Sequence, residues 1–262
     1  MDDMAVCATW ADLGWIFHAT RLADRDPWRD KARDLAVWAD LSALAALARE
    51  APVEDQPVDV MLHVAAELHD SNPLDAEALF RRIQAAHPSN YWANMALGDT
   101  LLDRGDADAI HYYRATIALR PEAAEAHFSL GTALGKAGRI SEAIEPLQRA
   151  LALDPASANA ELNLAECFLK TRRFEEALEH ARIAARIDPE YSEAHAFVGD
   201  ALKELGDIEG ALDSYERAID LEPEGTPLRA EIDAAYTECE EAEAAAAAAA
   251  GTTASPPRSQ PK

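Results

Sequence analysis

Apolar positions in the middle of the chain fall at helical spacing, in short runs separated by polar, glycine or proline breaks. Phe128, Leu130, Leu134 and Ala137 form one stripe, and Ile144, Leu147, Leu151 and Leu153 form the next. This is the recurrence expected of amphipathic helices. Gly138 stands between the two, so the pattern predicts helix, tight turn, helix. Ser141 is expected to cap the second helix. Asp154-Pro155 is expected to end it, because proline disfavours helical backbone in the residue before it.

The motif repeats. Prolines stand at Pro88, Pro121, Pro155, Pro189 and Pro223, spaced 33, 34, 34 and 34 residues apart. The segments before them align: FRRIQAAHP, YRATIALRP, LQRALALDP, ARIAARIDP and YERAIDLEP. A second ladder of small residues runs Gly98, Gly131, Ala165 and Gly199. The one-residue deficit lies between Gly105 and Ala109, in a turn, where a deletion is tolerated. Small residues at these positions, with Ala143 and Ala150, are expected to let two helices approach closely. A single hairpin cannot bury its apolar face, so neighbouring hairpins must stack.

Read in register, Leu130-Gly131, Leu134, Gly138, Ala143, Leu147, Ala150 and Pro155 resemble the tetratricopeptide repeat (TPR) family, as do Val198-Gly199, Leu202, Gly206, Ala211, Tyr215, Ala218 and Pro223. Leu97-Gly98, Leu101, Gly105, Ala109, Tyr113 and Pro121 supply another copy. A further copy, Leu164-Ala165, Phe168, Ala177, Ala181, Ala184 and Pro189, has Arg172-Arg173 in place of the turn glycine. The first copy keeps Ala76, Phe80, Ile83 and Pro88, with His63 and Asp70 read in place of its glycines. The resemblance implies an all-α fold, a right-handed α-solenoid of stacked helix-turn-helix repeats. Five repeats are expected within residues 56–223, at about 57–88, 89–121, 122–155, 156–189 and 190–223.

Residues 1–55 hold four of the five tryptophans, Trp10, Trp15, Trp28 and Trp38. Asp26-Pro27 and Asp40 read as helix starts, so three short helices forming an N-terminal cap are expected there. Leu228, Ile232, Ala235, Tyr236 and Cys239 recur at helical spacing, which predicts a capping helix over 224–250; a disordered tail is expected at 251–262. The runs DPWRDKARD and FRRIQAAHPSNYWANMALGDTLL also resemble the TPR-bearing C-terminal regions of some large bacterial Ser/Thr protein kinases, over about 24–223, although this sequence contains no kinase domain.

Composition narrows the functional classes. Of 262 residues, 58 are alanine and only 11 are glycine, which favours helix. Asp and Glu number 48 against 24 Lys and Arg, a net charge of −24. Phosphate backbones and anionic lipids call for basic patches, so neither nucleic acid nor membrane is an expected partner. No apolar run approaches the roughly 20 residues of a membrane span, and the start Met1-Asp2-Asp3 lacks the positive charge of a signal peptide, so a cytoplasmic location is expected. Cys7, Cys167 and Cys239 are too scattered for a disulfide framework or a zinc site. His127 and His195 share a repeat position with Glu161 between them, an arrangement too extended to share a metal. The Glu-rich run at 238–243 reads as a solvated helix face. No phosphate-binding loop, kinase catalytic loop, nucleophile elbow or His-Glu-x-x-His helix occurs. The expectation is a non-enzyme without cofactor or metal; an unrecognised catalytic site within 1–55 is the remaining enzymatic reading.

The resemblance implies that the first helix of each repeat lines a concave groove. Its fifth positions are Met95, Phe128, Leu162 and Ala196, with Trp92 one turn before Met95. Its ninth positions are Asp99, Thr132, Glu166 and Asp200, and Asn163 occupies a sixth position. Lys136 and Lys170 share a repeat position, and Lys203 falls one residue short of it. These residues are the candidates for binding a partner protein, as a peptide or helix. They lack the lysine and asparagine pattern of the family's carboxylate-clamp type. The alternative is a regulatory accessory or remnant of a bacterial Ser/Thr kinase signalling system. The sequence carries no expectation of oligomeric state.

Overall fold

The computed structural model describes residues 26–249. Among these there are fourteen helices and no strand. The chain divides into two compact units, residues 1–121 and 122–262.

In the first unit the described helices are α1 (Pro27–Ala32), α2 (Leu35–Ala39), α3 (Leu41–Glu50), α4 (Val58–His69), α5 (Pro73–Ala86), α6 (Tyr91–Asp103) and α7 (Ala109–Leu119). The Asp26 carboxylate accepts from the backbone amides of Trp28 and Arg29, with Pro27 in the first turn. Those bonds, with one from Gln56, hold its pKa below the usual value. Asp40 caps α3 in the same way. Trp28 is buried, its indole donating to the Leu47 carbonyl at 2.9 Å. Arg82 of α5 donates to the carbonyls of Ala48, Arg49 and Ala51 at the end of α3, satisfying acceptors that a helix end leaves open. Trp10, Trp15, Cys7 and the segment 251–262 lie outside the described residues.

The second unit comprises α8 (Ala124–Lys136), α9 (Ile140–Leu153), α10 (Ala158–Lys170), α11 (Phe174–Ile187), α12 (Ser192–Leu205), α13 (Ile208–Leu221) and α14 (Pro227–Ala249). Helices α8/α9, α10/α11 and α12/α13 form three hairpins, and the closing α14 packs on α13. The small-residue ladder works by close approach. A Cβ added at Gly131 would stand 2.5 Å from Leu147 Cγ, and one at Gly98 in the first unit 2.8 Å from Tyr113 Cε1. Ile232, Tyr236 and Cys239 of α14 are buried in one cluster with Leu212, Tyr215 and Ile219, with Leu228 and Ala235 partly buried against it. Beyond Glu240 the side chains described on α14 are exposed.

Two local expectations are corrected. Ser141 is not a cap: α9 begins at Ile140, and Arg139 before it pairs with Glu142. His63 and Asp70 do not occupy glycine positions. His63 lies on α4 with its ring 4.9 Å from that of Trp38, and Asp70 ends α4 in right-handed backbone. The 33-residue offset between Ala76 and Ala109 aligns Ala65 and Asn72 with Gly98 and Gly105. Ala65 is fully buried, and Asn72 caps α5.

Candidate functional site

The candidate residues sit on α6 in the first unit and on α8, α10 and α12 in the second. On α6, Trp92 is 53% exposed, edge-on to Tyr91, while the Arg120 guanidinium lies 4.3 Å from the Tyr91 ring centroid and 5.8 Å from that of Trp92. Met95, on the same helix, is buried. Asp99 is exposed, and Tyr113 donates its hydroxyl to the carboxylate at 2.7 Å.

In the second unit Phe128 is half-buried and Leu162 buried. Thr132 joins two hairpins: its hydroxyl donates to the Phe128 carbonyl at 3.0 Å and accepts from the Asn163 amide at 2.8 Å. Lys136 is exposed. Lys170 pairs with Glu166 one turn away, at 2.6 Å, and Lys203 reaches Glu238 of α14 at 3.2 Å. Asp200 accepts from the Tyr215 hydroxyl at 2.7 Å.

Four candidates converge. Glu166, Lys170, Asp200 and Lys203 border one depression of about 410 Å³ between α10 and α12. Its apolar lining comes from Leu169, Phe174 and Phe197, and Arg172 and Glu204 complete the border. Phe197 is absent from the candidates drawn from sequence. It occupies the same sixth position as Asn163, one turn before Asp200, and that register is the signal that could have found it. Burial raises the Asp200 pKa, against the hydrogen bond from Tyr215 and the charge of Lys203. Burial likewise raises the Tyr215 phenol.

Several other polar groups of this unit are engaged within the fold. Glu161, 7% exposed, bonds His180 Nδ1 at 2.5 Å, and that ring stacks on Phe168. His195 donates from Nε2 to the Pro189 carbonyl at 3.0 Å. The Cys167 thiol is buried, which pushes its pKa up to about 11, far from the range of a reactive thiolate. Among the described residues no group of His, Cys, Asp or Glu is arranged to hold a metal, and no helix is long and apolar enough to cross a membrane.

Two family models, each described as tetratricopeptide repeat, match the chain. One matches at residues 66–109, 95–158 and 130–192, and the other at 192–224. No curated protein sequence matches. Among solved structures, the MamA protein is similar at 25% identity and a TM-score of 0.58, over 63% of this chain and 91% of that one. MamA from Desulfovibrio magneticus RS-1 shares the fold at 20% identity and 0.58, over 68% of this chain and 94% of that one. YrrB, described as a TPR protein with an unusual peptide-binding site, shares it at 22% and 0.57, over 71% and 95%. With helical hairpins in register and repeat models spanning 66–224, the chain belongs to the tetratricopeptide repeat family.

Proposed function

We propose that the chain is a non-catalytic scaffold that binds a partner protein, as a peptide or helix, along the first-helix face of its repeats. The observation that carries this reading is the depression between α10 and α12, where an apolar floor of Leu169, Phe174 and Phe197 is rimmed by charge. Binding sites of this kind combine an apolar lining with a few polar groups that fix orientation, and extended or helical segments dock in such grooves through spaced anchors. Phe128 and Trp92 extend the same set of first-helix positions within their own units. Met95 and Leu162 are each 3% exposed, so they support the face from beneath rather than touch a partner. The net charge of −24 favours protein over nucleic acid as the partner. The resemblance of residues 24–223 to kinase-associated TPR regions would place that partner in a bacterial Ser/Thr kinase system.

A photo-crosslinking residue at Glu204, on the rim, tests the reading against one at Glu209, exposed at the start of α13. In lysate of the source cells, discrete adducts are expected from position 204 and none of the same mass from 209. The reverse pattern would move the binding surface to the second helices.

A further inference from the structure

Glu193, Phe197, Asp200 and Glu204 recur along α12 at intervals of four, three and four residues, which puts them on one face of the helix. Phe197 packs against two core clusters and also lines the depression. The carboxylates around it form no ion pair among the described residues, although the charge of Lys203 acts on Asp200. Glu193 and Glu204 have no hydrogen bond or ion pair among the described residues, and Asp200 engages only the Tyr215 hydroxyl, through Oδ1. Burial raises the Glu193 pKa, and the charges of Glu166, Glu222 and Glu231 add to the shift. Glu204 and Glu231 act on Asp200 in the same direction. The nearby lysines are already engaged, Lys170 with Glu166 and Lys203 with Glu238.

This chain covers aromatic faces with its own guanidinium groups: Arg120 over Tyr91 at 4.3 Å, Arg173 over Phe168 at 4.4 Å and, in the lining of the depression itself, Arg172 over Phe174 at 5.5 Å. Phe197 has no such cation among the described residues. Resting on the groove reading above, we propose that the segment seated in this depression carries an arginine, its guanidinium laid on Phe197 between Glu193 and Asp200, with an apolar side chain beside Leu169 and Phe174. Arginine suits the place because its planar cation stacks on a ring while its edge donates to carboxylates. An acidic segment would meet lysines already neutralised, an Arg172 laid on Phe174 and carboxylates that repel it.

The test uses the full chain and two fluorescent twelve-residue peptides, one alternating leucine with arginine and the other leucine with glutamate, titrated by anisotropy. The arginine peptide is expected to bind. Phe197→Ala should weaken it about tenfold and Glu193→Gln about fivefold. Glu179→Gln on α11, an equal change of net charge, should leave it unchanged. A lysine version of the peptide should bind less tightly. Phe197→Leu keeps the buried contact while removing the ring, and serves if Phe197→Ala melts early. Arginine-peptide binding that follows net charge alone, indifferent to Phe197 and Glu193, overturns the proposal. Glutamate-peptide binding that depends on Phe197 overturns the preference for a cation while keeping the groove. If neither peptide responds to Phe197→Ala or Phe197→Leu, the groove itself is lost as the binding surface.

Discussion

The ring of Tyr215 lies so close to Gly199 that a Cβ on residue 199 would stand 2.6 Å from Cε1. Gly131 and Leu147 make the same pairing two repeats earlier, and Gly98 and Tyr113 make it in the first unit. The hairpin of α10 and α11 carries Ala165 and Ala181 at these two positions, both fully buried. Each hairpin therefore balances a small residue against the bulk facing it.

Gly199→Ala is expected to cost about 1–3 kcal/mol through over-packing. Combined with Tyr215→Ala it should cost less than the sum of the two single changes, because Ala opposite Ala is an arrangement this chain already uses. Urea melts of the four proteins in the cycle give the coupling. Hydrogen exchange of Gly199→Ala should loosen 190–223 before the distant hairpins, since stability in such arrays is largely local. Strict additivity would show that the ring and the glycine do not constrain each other.

Arg172 adopts a φ of 59°, in the left-handed region where Gly105, Gly138 and Gly206 stand at the equivalent turns. A side chain there costs roughly 1–2 kcal/mol, partly offset by the stacking of Arg172 on Phe174. Arg172→Gly is expected to stabilise the protein by about 0.5 kcal/mol, and Gly206→Arg to destabilise it. A lower urea midpoint for Arg172→Gly would mean that the stacking outweighs the backbone strain.

Ending the chain at Pro223 removes Ile232, Tyr236 and Cys239 from the cluster that holds Leu212, Tyr215 and Ile219. The shortened protein is expected to aggregate or dimerise, as bared apolar patches do, whereas ending it at Glu243 removes no side chain known to be buried. Light scattering during sizing chromatography separates the two; a monodisperse monomer of residues 1–223 would contradict the expectation.

Glu193 and Asp200 have folded-state pKa values above their ordinary ones. The folded chain therefore holds protons on them that the unfolded chain has released. Their contribution favours folding at acid pH and is lost as pH rises from the ordinary carboxylate range through the raised values. Glu193→Gln should thus gain stability over the parent at pH 7 and gain little at pH 4. Thermal melts at the two pH values check the sign; an equal effect at both would remove ionisation as the cause.

The repeats were legible because proline, glycine and the apolar stripes each report a backbone requirement that a short window of sequence contains. The α14 stripe was legible for the same reason. Side-chain partnerships were harder to read. Position in the repeat marks Asp99 and Asp200 as groove acids but does not reveal that Tyr113 and Tyr215, on the next helix, donate to them; the recurring Gly-Asp followed by Tyr was the available signal. Lys170 and Lys203 look like a row of cations until Glu166 and Glu238 meet them. Met95 and Leu162 share a repeat position with Phe128, yet they are buried while Phe128 is half-buried. That difference depends on neighbouring side chains, which position within a repeat does not specify. Ser141 misled because serine suits a cap chemically, while the helix starts one residue earlier.

The opposition of Ala165 to Ala181 bears on how such a chain can be inherited. A recombination that exchanged α11 for α13 would set Ala165 against Tyr215, and one in the other direction would leave a void beside Gly199. Crossovers between hairpins, near Pro155 and Pro189, keep each pair intact. The two-helix hairpin is therefore the smallest piece of this protein that can be duplicated, deleted or transplanted without a compensating substitution.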